Sequence, residues 1–140
     1  MAEFNELAVQ FLKTRRSLPY IKFDKEVSKK IKNEICVLSY LKTHGGKAHP
    51  KDLSGEFIVS SARMAVILKQ FERKNYIIRT ADNDDSRKTV VKLQPKGEEF
   101  LERENTQIIK YLSDYFKKFG EDDAKEFVRL YEKLMKVVLE

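Results

Sequence analysis

One cysteine in 140 residues, Cys36, excludes an internal disulfide and any metal site built from several thiolates. The two histidines, His44 and His49, lie five apart with no cysteine or acidic cluster beside them, which is not a zinc-ligand pattern. Five glycines form no phosphate-cradling loop, and no grouping of serine, histidine and aspartate suggests a hydrolase. No enzyme activity, catalytic residue, metal or cofactor is therefore expected. Nor does any run reach the ~18 uncharged apolar residues of a membrane helix. The opening MAEFNELAVQ lacks a basic segment followed by an apolar one, as a secretory leader would have. With its single thiol, the chain is expected to be cytoplasmic, with no membrane partner.

What is present is a globular composition of 41% apolar, 11% aromatic and 36% charged residues. At this length a single domain, residues 1–140, is expected. The charge is uneven. Residues 1–97 carry 20 Lys and Arg against 11 Asp and Glu, a balance of +9, whereas residues 98–140 carry 8 against 11, a balance of −3. The total of +6 is a weak hint of a polyanionic partner, but its distribution implies a basic and an acidic part with different roles.

Hydrophobic spacing divides the chain into elements. Phe4, Leu7, Ala8, Phe11 and Leu12 recur with helical period and end before Pro19. A second helix is expected from about Asp24, as N-cap, to His44. Its buried stripe is Val27, Ile31, Ile35, Leu38 and Leu41, its first half carries Lys25, Lys29, Lys30 and Lys32, and Gly45-Gly46 ends it. His49-Pro50 opens a short helix with Leu53, Phe57 and Ile58 as its apolar residues. Ser60 or Ser61 caps the next, about Ser61 to Asn75, with Met64, Ile67, Leu68 and Phe71 on one face. Tyr76–Arg79 and Thr89–Leu93 are β-rich runs joined by a polar tip, and so form a hairpin. A long stripe from Phe100 to Phe119, a break at Gly120 and a last stripe from Phe127 to Val138 complete the order.

The fold class is thus mainly α with a small β-hairpin wing. Short helices followed by a hairpin make the winged helix-turn-helix layout, in which one helix enters the DNA major groove and the hairpin reaches an adjacent groove. The helix that begins at Ser60-Ser61 offers small residues, which let the backbone approach the bases, and a few donors to read them. Arg63 is the candidate base contact. Ser60 and Ser61 suit phosphates or base edges, Lys69 and Arg73 suit the backbone, and Met64 is included in the contact set although it also belongs to the apolar stripe.

The run Asp85-Ser86-Arg87-Lys88-Thr89-Val90-Val91-Lys92-Leu93-Gln94-Pro95-Lys96-Gly97 resembles the wing of the MarR-type regulators, a family named after multiple-antibiotic resistance. The pattern is Asp-x-Arg, three residues, Val-x-Leu-Thr, then Gly; Gln94 stands where Thr is usual, which puts the cap of the following helix in question. The resemblance implies a winged-helix lobe at about 24–97 and dimerisation helices at about 1–20 and 98–140. It further implies a homodimeric repressor on a pseudo-palindromic operator in double-stranded DNA. At the wing, Arg87 would enter the minor groove, oriented by Asp85, with Lys88 beside it. By resemblance alone, a small aromatic or anionic effector would bind near Arg15, Arg16 and Tyr20, whose other role is intersubunit or solvent contact. Two alternatives stand beside this reading: a winged-helix module that docks protein, and a DNA-binding regulator switched by oxidation of Cys36, a thiol that otherwise packs inertly.

Overall fold

The computed structural model describes residues 2–17, 22–30, 33–57 and 59–140. The elements in chain order are α1 (Ala2–Ser17), α2 (Lys22–Lys30), α3 (Asn33–Thr43), β1 (Lys47–Ala48), α4 (Pro50–Glu56), α5 (Ser61–Arg73), β2 (Ile77–Ala81), β3 (Thr89–Leu93), α6 (Pro95–Phe119) and α7 (Glu121–Val138). The expected helix over 24–44 corresponds to two described helices, with residues 31 and 32, hence Ile31 and Lys32, outside the described set. Asp24 is not the N-cap: helical winding has begun by Lys22, so Asp24 sits inside α2.

The boundaries follow local chemistry. Pro50 occupies the first turn of α4, where its missing N–H costs nothing. Ser60 caps α5, its Oγ accepting the Arg63 amide at 3.0 Å. At the other end of α5, Asn75 adopts a left-handed φ of 62°. The Asn75 amide then bonds to the Glu72 carbonyl and the Tyr76 amide to the Phe71 carbonyl, which satisfies the end of the helix and turns the chain into β2. Gln94 precedes α6 without a side-chain cap; its amide nitrogen instead faces the Lys92 and Leu93 carbonyls. The departure from the wing pattern thus has the local consequence expected of it. Gly120, at φ 100°, separates α6 from α7 in a backbone conformation that a side chain would disfavour.

The sheet has three strands in the order β1-β3-β2, all antiparallel. The hairpin pairs Ile77 with Leu93 through Ala81 with Thr89, and the two-residue β1 adds Lys47 opposite Lys92 on the far edge of β3. One core joins these elements: Val37, Leu38 and Leu41 from α3, Leu53 from α4, Met64, Ile67, Leu68 and Phe71 from α5, Ile77 and Val91 from the sheet, and Leu101 from α6. Each loses nearly all of its solvent contact on folding, worth roughly 1.5–3 kcal/mol per large side chain. Neither α1 nor α7 contributes a buried residue. The apolar stripes predicted for them exist as helical faces, but in the single chain they meet solvent.

Candidate nucleic-acid interface

The capped start of α5, packed against α4, presents a helix face outward. Its burial alternates with helical period: Met64, Ile67, Leu68 and Phe71 point into the core, while Ser61, Ala62, Arg63, Ala65, Val66, Lys69 and Gln70 are exposed. Met64, placed among the contacts from sequence, is 1% exposed and packs in the core, so it cannot reach a ligand on the outer face. Ser60 is the cap, and Ser61 is the first helical residue and exposed.

Arg63 points outward but is not unattended. One terminal guanidinium nitrogen donates to Glu34 Oε1 of α3 at 3.2 Å, with about half of the arginine side chain still exposed. Glu34 was not among the residues singled out from sequence. Twenty-nine positions separate it from Arg63, and no periodicity links one helix's acid to another helix's arginine.

At the wing tip, Asp82 organises the turn. Its Oδ1 accepts the Asp84 amide at 2.7 Å and the Asp85 amide at 3.4 Å, an Asx-type arrangement that does the work of backbone pairing. The Asp84 amide, joined by the Asp85 amide, by the charge of Lys88 and by His49 when its ring is protonated, holds the Asp82 carboxyl below its ordinary 3.8 against an opposing effect of burial. The backbone of Lys88 closes the turn, its N–H donating to the Asp85 carbonyl and its carbonyl accepting from Asp82, both at 2.9 Å.

Asp85 Oδ1 accepts from the Arg87 amide at 3.1 Å and from Arg87 Nε at 3.2 Å. The guanidinium is thus gripped along its Nε edge while the side chain remains 90% exposed, its outer edge turned to solvent. Such an exposed pair contributes little to stability, at most about 1 kcal/mol. Its effect is to restrict the directions an otherwise mobile arginine takes. Lys88 is exposed beside it.

Two further ties hold the wing to the helices, and neither was anticipated. Arg79 of β2 forms a two-point pair with Glu72 of α5, at 3.2 and 3.4 Å. His49, ahead of α4, places Nδ1 2.9 Å from the Thr89 carbonyl oxygen and Nε2 3.2 Å from Asp82 Oδ2. β2 is thus tied to α5 across seven positions, and the wing tip to the start of α4 by side chains distant in sequence.

Of the effector candidates, Arg15 and Arg16 lie exposed in the last turn of α1, and Tyr20 is outside the described residues. Arg15 and Arg16 line neither of two described grooves. One, about 650 Å³, lies between α6 and α7 against Ile109, Leu112, Phe116 and Ala124. The other, about 490 Å³, lies under the wing against His44, Lys47, His49 and Asp82. Cys36 is half-buried in α3. Among the described residues no His, Cys, Asp and Glu group could hold a metal ion, and no helix is long and apolar enough to cross a membrane.

Comparison with known proteins places this geometry. Residues 20–103 match the family described as transcriptional regulator SarA/Rot, a span that includes all eleven core residues. No curated protein sequence matches the chain. Solved structures do. A MarR family protein from Bacillus stearothermophilus is 16% identical with a TM-score of 0.70, covering 99% of this chain and 95% of its own. The YusO protein from Bacillus subtilis is 20% identical with a TM-score of 0.68, covering 96% and 94%. A mutant MarR from E. coli, solved in complex with operator DNA, is 22% identical with a TM-score of 0.62, covering 76% and 74%. At these identities the likeness is one of fold, and it extends over the helices outside the family match.

Proposed function

The chain belongs to the SarA/Rot family of transcriptional regulators, and from that membership we propose that it binds operator DNA as a homodimer, with α5 in the major groove and Arg87 in the adjacent minor groove. The observation that carries this reading is the Arg87 guanidinium, held by Asp85 at the wing tip and 90% exposed, on the same +9 lobe as the outward face of α5. A narrow minor groove concentrates negative potential and favours an arginine already aimed at it. The structure related to operator-bound MarR supports the docking mode through its shared fold. Ser60, Ser61, Arg63 and Lys69 would supply the contacts of α5, and Lys88 a phosphate contact beside the wing.

The second subunit is argued from surface chemistry. On α7, Phe127, Leu130, Tyr131, Leu134 and Val138 form one exposed apolar stripe, and on α1 Phe4, Leu7, Phe11 and Leu12 form another. Monomeric proteins rarely leave apolar patches of this extent in water. A twofold partner would bury them while keeping the −3 segment away from DNA and presenting two basic lobes to one face of the duplex. We place the protein in the cytoplasm with its operator, and we assign Arg15, Arg16 and Tyr20 to an effector site for a small aromatic or anionic molecule that forms only when two subunits meet.

Selection of preferred sites from random duplex DNA with the purified protein tests the reading. Inverted repeats with half-sites about 34–36 Å apart are expected. If roughly six to ten phosphates are neutralised, raising salt from 50 to 200 mM should weaken binding by ~10³–10⁵. Enriched sites without twofold symmetry would remove the dimer, and the absence of any enrichment would remove sequence-specific recognition.

A further inference from the structure

On α5 every large apolar side chain is buried except one. Val66 is 47% exposed, two positions past the buried Met64 and directly before the buried Ile67. It lies on the outward face with Ala62 and Lys69 at helical spacing. The polar groups around it are partly committed: Arg63 is paired with Glu34, and the Ser60 hydroxyl already accepts the Arg63 amide. Arg63, Lys69 and Arg73 surround the valine with positive charge, which suits a polyanion and would disfavour a purely apolar partner. In the major groove the only apolar feature of the base edges is the C5 methyl of thymine.

From the proposed docking of α5 in the major groove, on which this inference rests, we propose that Val66 is a specificity-determining residue that reads the C5 methyl group of a thymine in each half-site. The isopropyl group, exposed in the free protein, is covered by that methyl in the complex, and water leaves both surfaces. Discrimination at that base pair then comes from apolar contact and shape, where a bidentate arginine would use hydrogen bonds. A cytosine, which lacks the methyl, leaves the valine against the polar N4 edge.

Deoxyuridine substitution isolates the methyl, because uracil keeps every hydrogen-bonding group of thymine. In the selected operator, thymines are replaced one at a time by deoxyuridine, and affinity is measured for the parent protein and for Val66→Ala. The parent should bind one symmetry-related substitution roughly fourfold more weakly per methyl removed. Val66→Ala should bind the unsubstituted operator more weakly and lose sensitivity at that same position. Equal affinity of the parent for all substituted duplexes would overturn the proposal while leaving DNA binding intact. So would a deoxyuridine effect that Val66→Ala retains in full, since that would report DNA shape. If no duplex is bound at all, the DNA-binding reading itself fails, and this inference with it.

Discussion

Substitution of Gly97 by alanine tests how the wing is joined to the long helix that follows it. Gly97 is buried in the first turn of α6, where an added Cβ would stand 2.4 Å from the Tyr76 carbonyl oxygen and 2.9 Å from Leu93 Cδ1. That carbonyl is not free to retreat, because it accepts the Gln94 amide at 2.9 Å and so closes the base of the hairpin. The Tyr76 ring in turn stacks on Phe100 at 4.7 Å. Separating the new Cβ from the oxygen by the ~0.6 Å needed therefore displaces β2 from α6, an overpacking cost in the upper part of the roughly 1–3 kcal/mol range. Helix propensity returns up to ~1 kcal/mol. The net loss is about 1–2 kcal/mol, which at this chain length lowers Tm by roughly 3–8 °C. Gly55→Ala is the matched control: Gly55 is also helical, but nothing lies within 4 Å of its added Cβ, so a gain of ~0.5–1 kcal/mol is expected. Thermal unfolding followed by circular dichroism reads both. A Gly97→Ala protein as stable as its parent would refute the reasoning, because the Tyr76 carbonyl would then be shown to yield without cost.

Other perturbations address the interface more directly. Because the Asp82 carboxyl is held below its unfolded value of 3.8, its bonds to the wing amides are complete above that pH and are lost as pH falls through the lower, folded value. The Asp84 amide resonance should report a titration midpoint below 3.8 that Asp82→Asn abolishes; a midpoint at or above 3.8 would contradict the bonding described. Arg87→Ala should weaken binding most on operators with A/T-rich flanks, and equal affinity of variant and parent for those operators would exclude the minor-groove assignment. Arg63→Ala should cost about 1–3 kcal/mol on the selected operator and relax preference at one position per half-site. Equal loss on random DNA would make Arg63 a phosphate contact. Leu134→Lys, on the exposed stripe of α7 where Leu134 is 51% open to solvent, should yield a folded monomer in sedimentation equilibrium, whereas an unchanged dimer would place the interface elsewhere.

Cys36, the single thiol that excluded disulfides and metal scaffolds at the outset, lies in α3 among core residues, and its neighbours Val37 and Leu38 are fully buried. Much of the architecture was legible in the same local way. Period 3.6 located the helices, Pro50 and Gly120 marked boundaries, and β-branched runs on either side of a polar tip located the hairpin, because each depends on residues within a few positions of one another. The wing motif was legible for the same reason: Asp85 and Arg87 are two residues apart, and the pair forms within one turn.

What depended on distant residues was not written in any local pattern. The two-residue β1 is too short to show alternation and exists only because β3 offers it an edge. The sequence allowed Met64 both a contact role and a core role; only its burial in the shared core decided between them. Glu34 with Arg63, Glu72 with Arg79, and His49 with Asp82 are tertiary pairs, created when separate elements are brought within hydrogen-bond reach. An amphipathic stripe, finally, states that a face is to be covered and not by what. The chain's own pattern made α1 and α7 apolar on one side. The folded lobe completed its core without them, and so left those faces exposed.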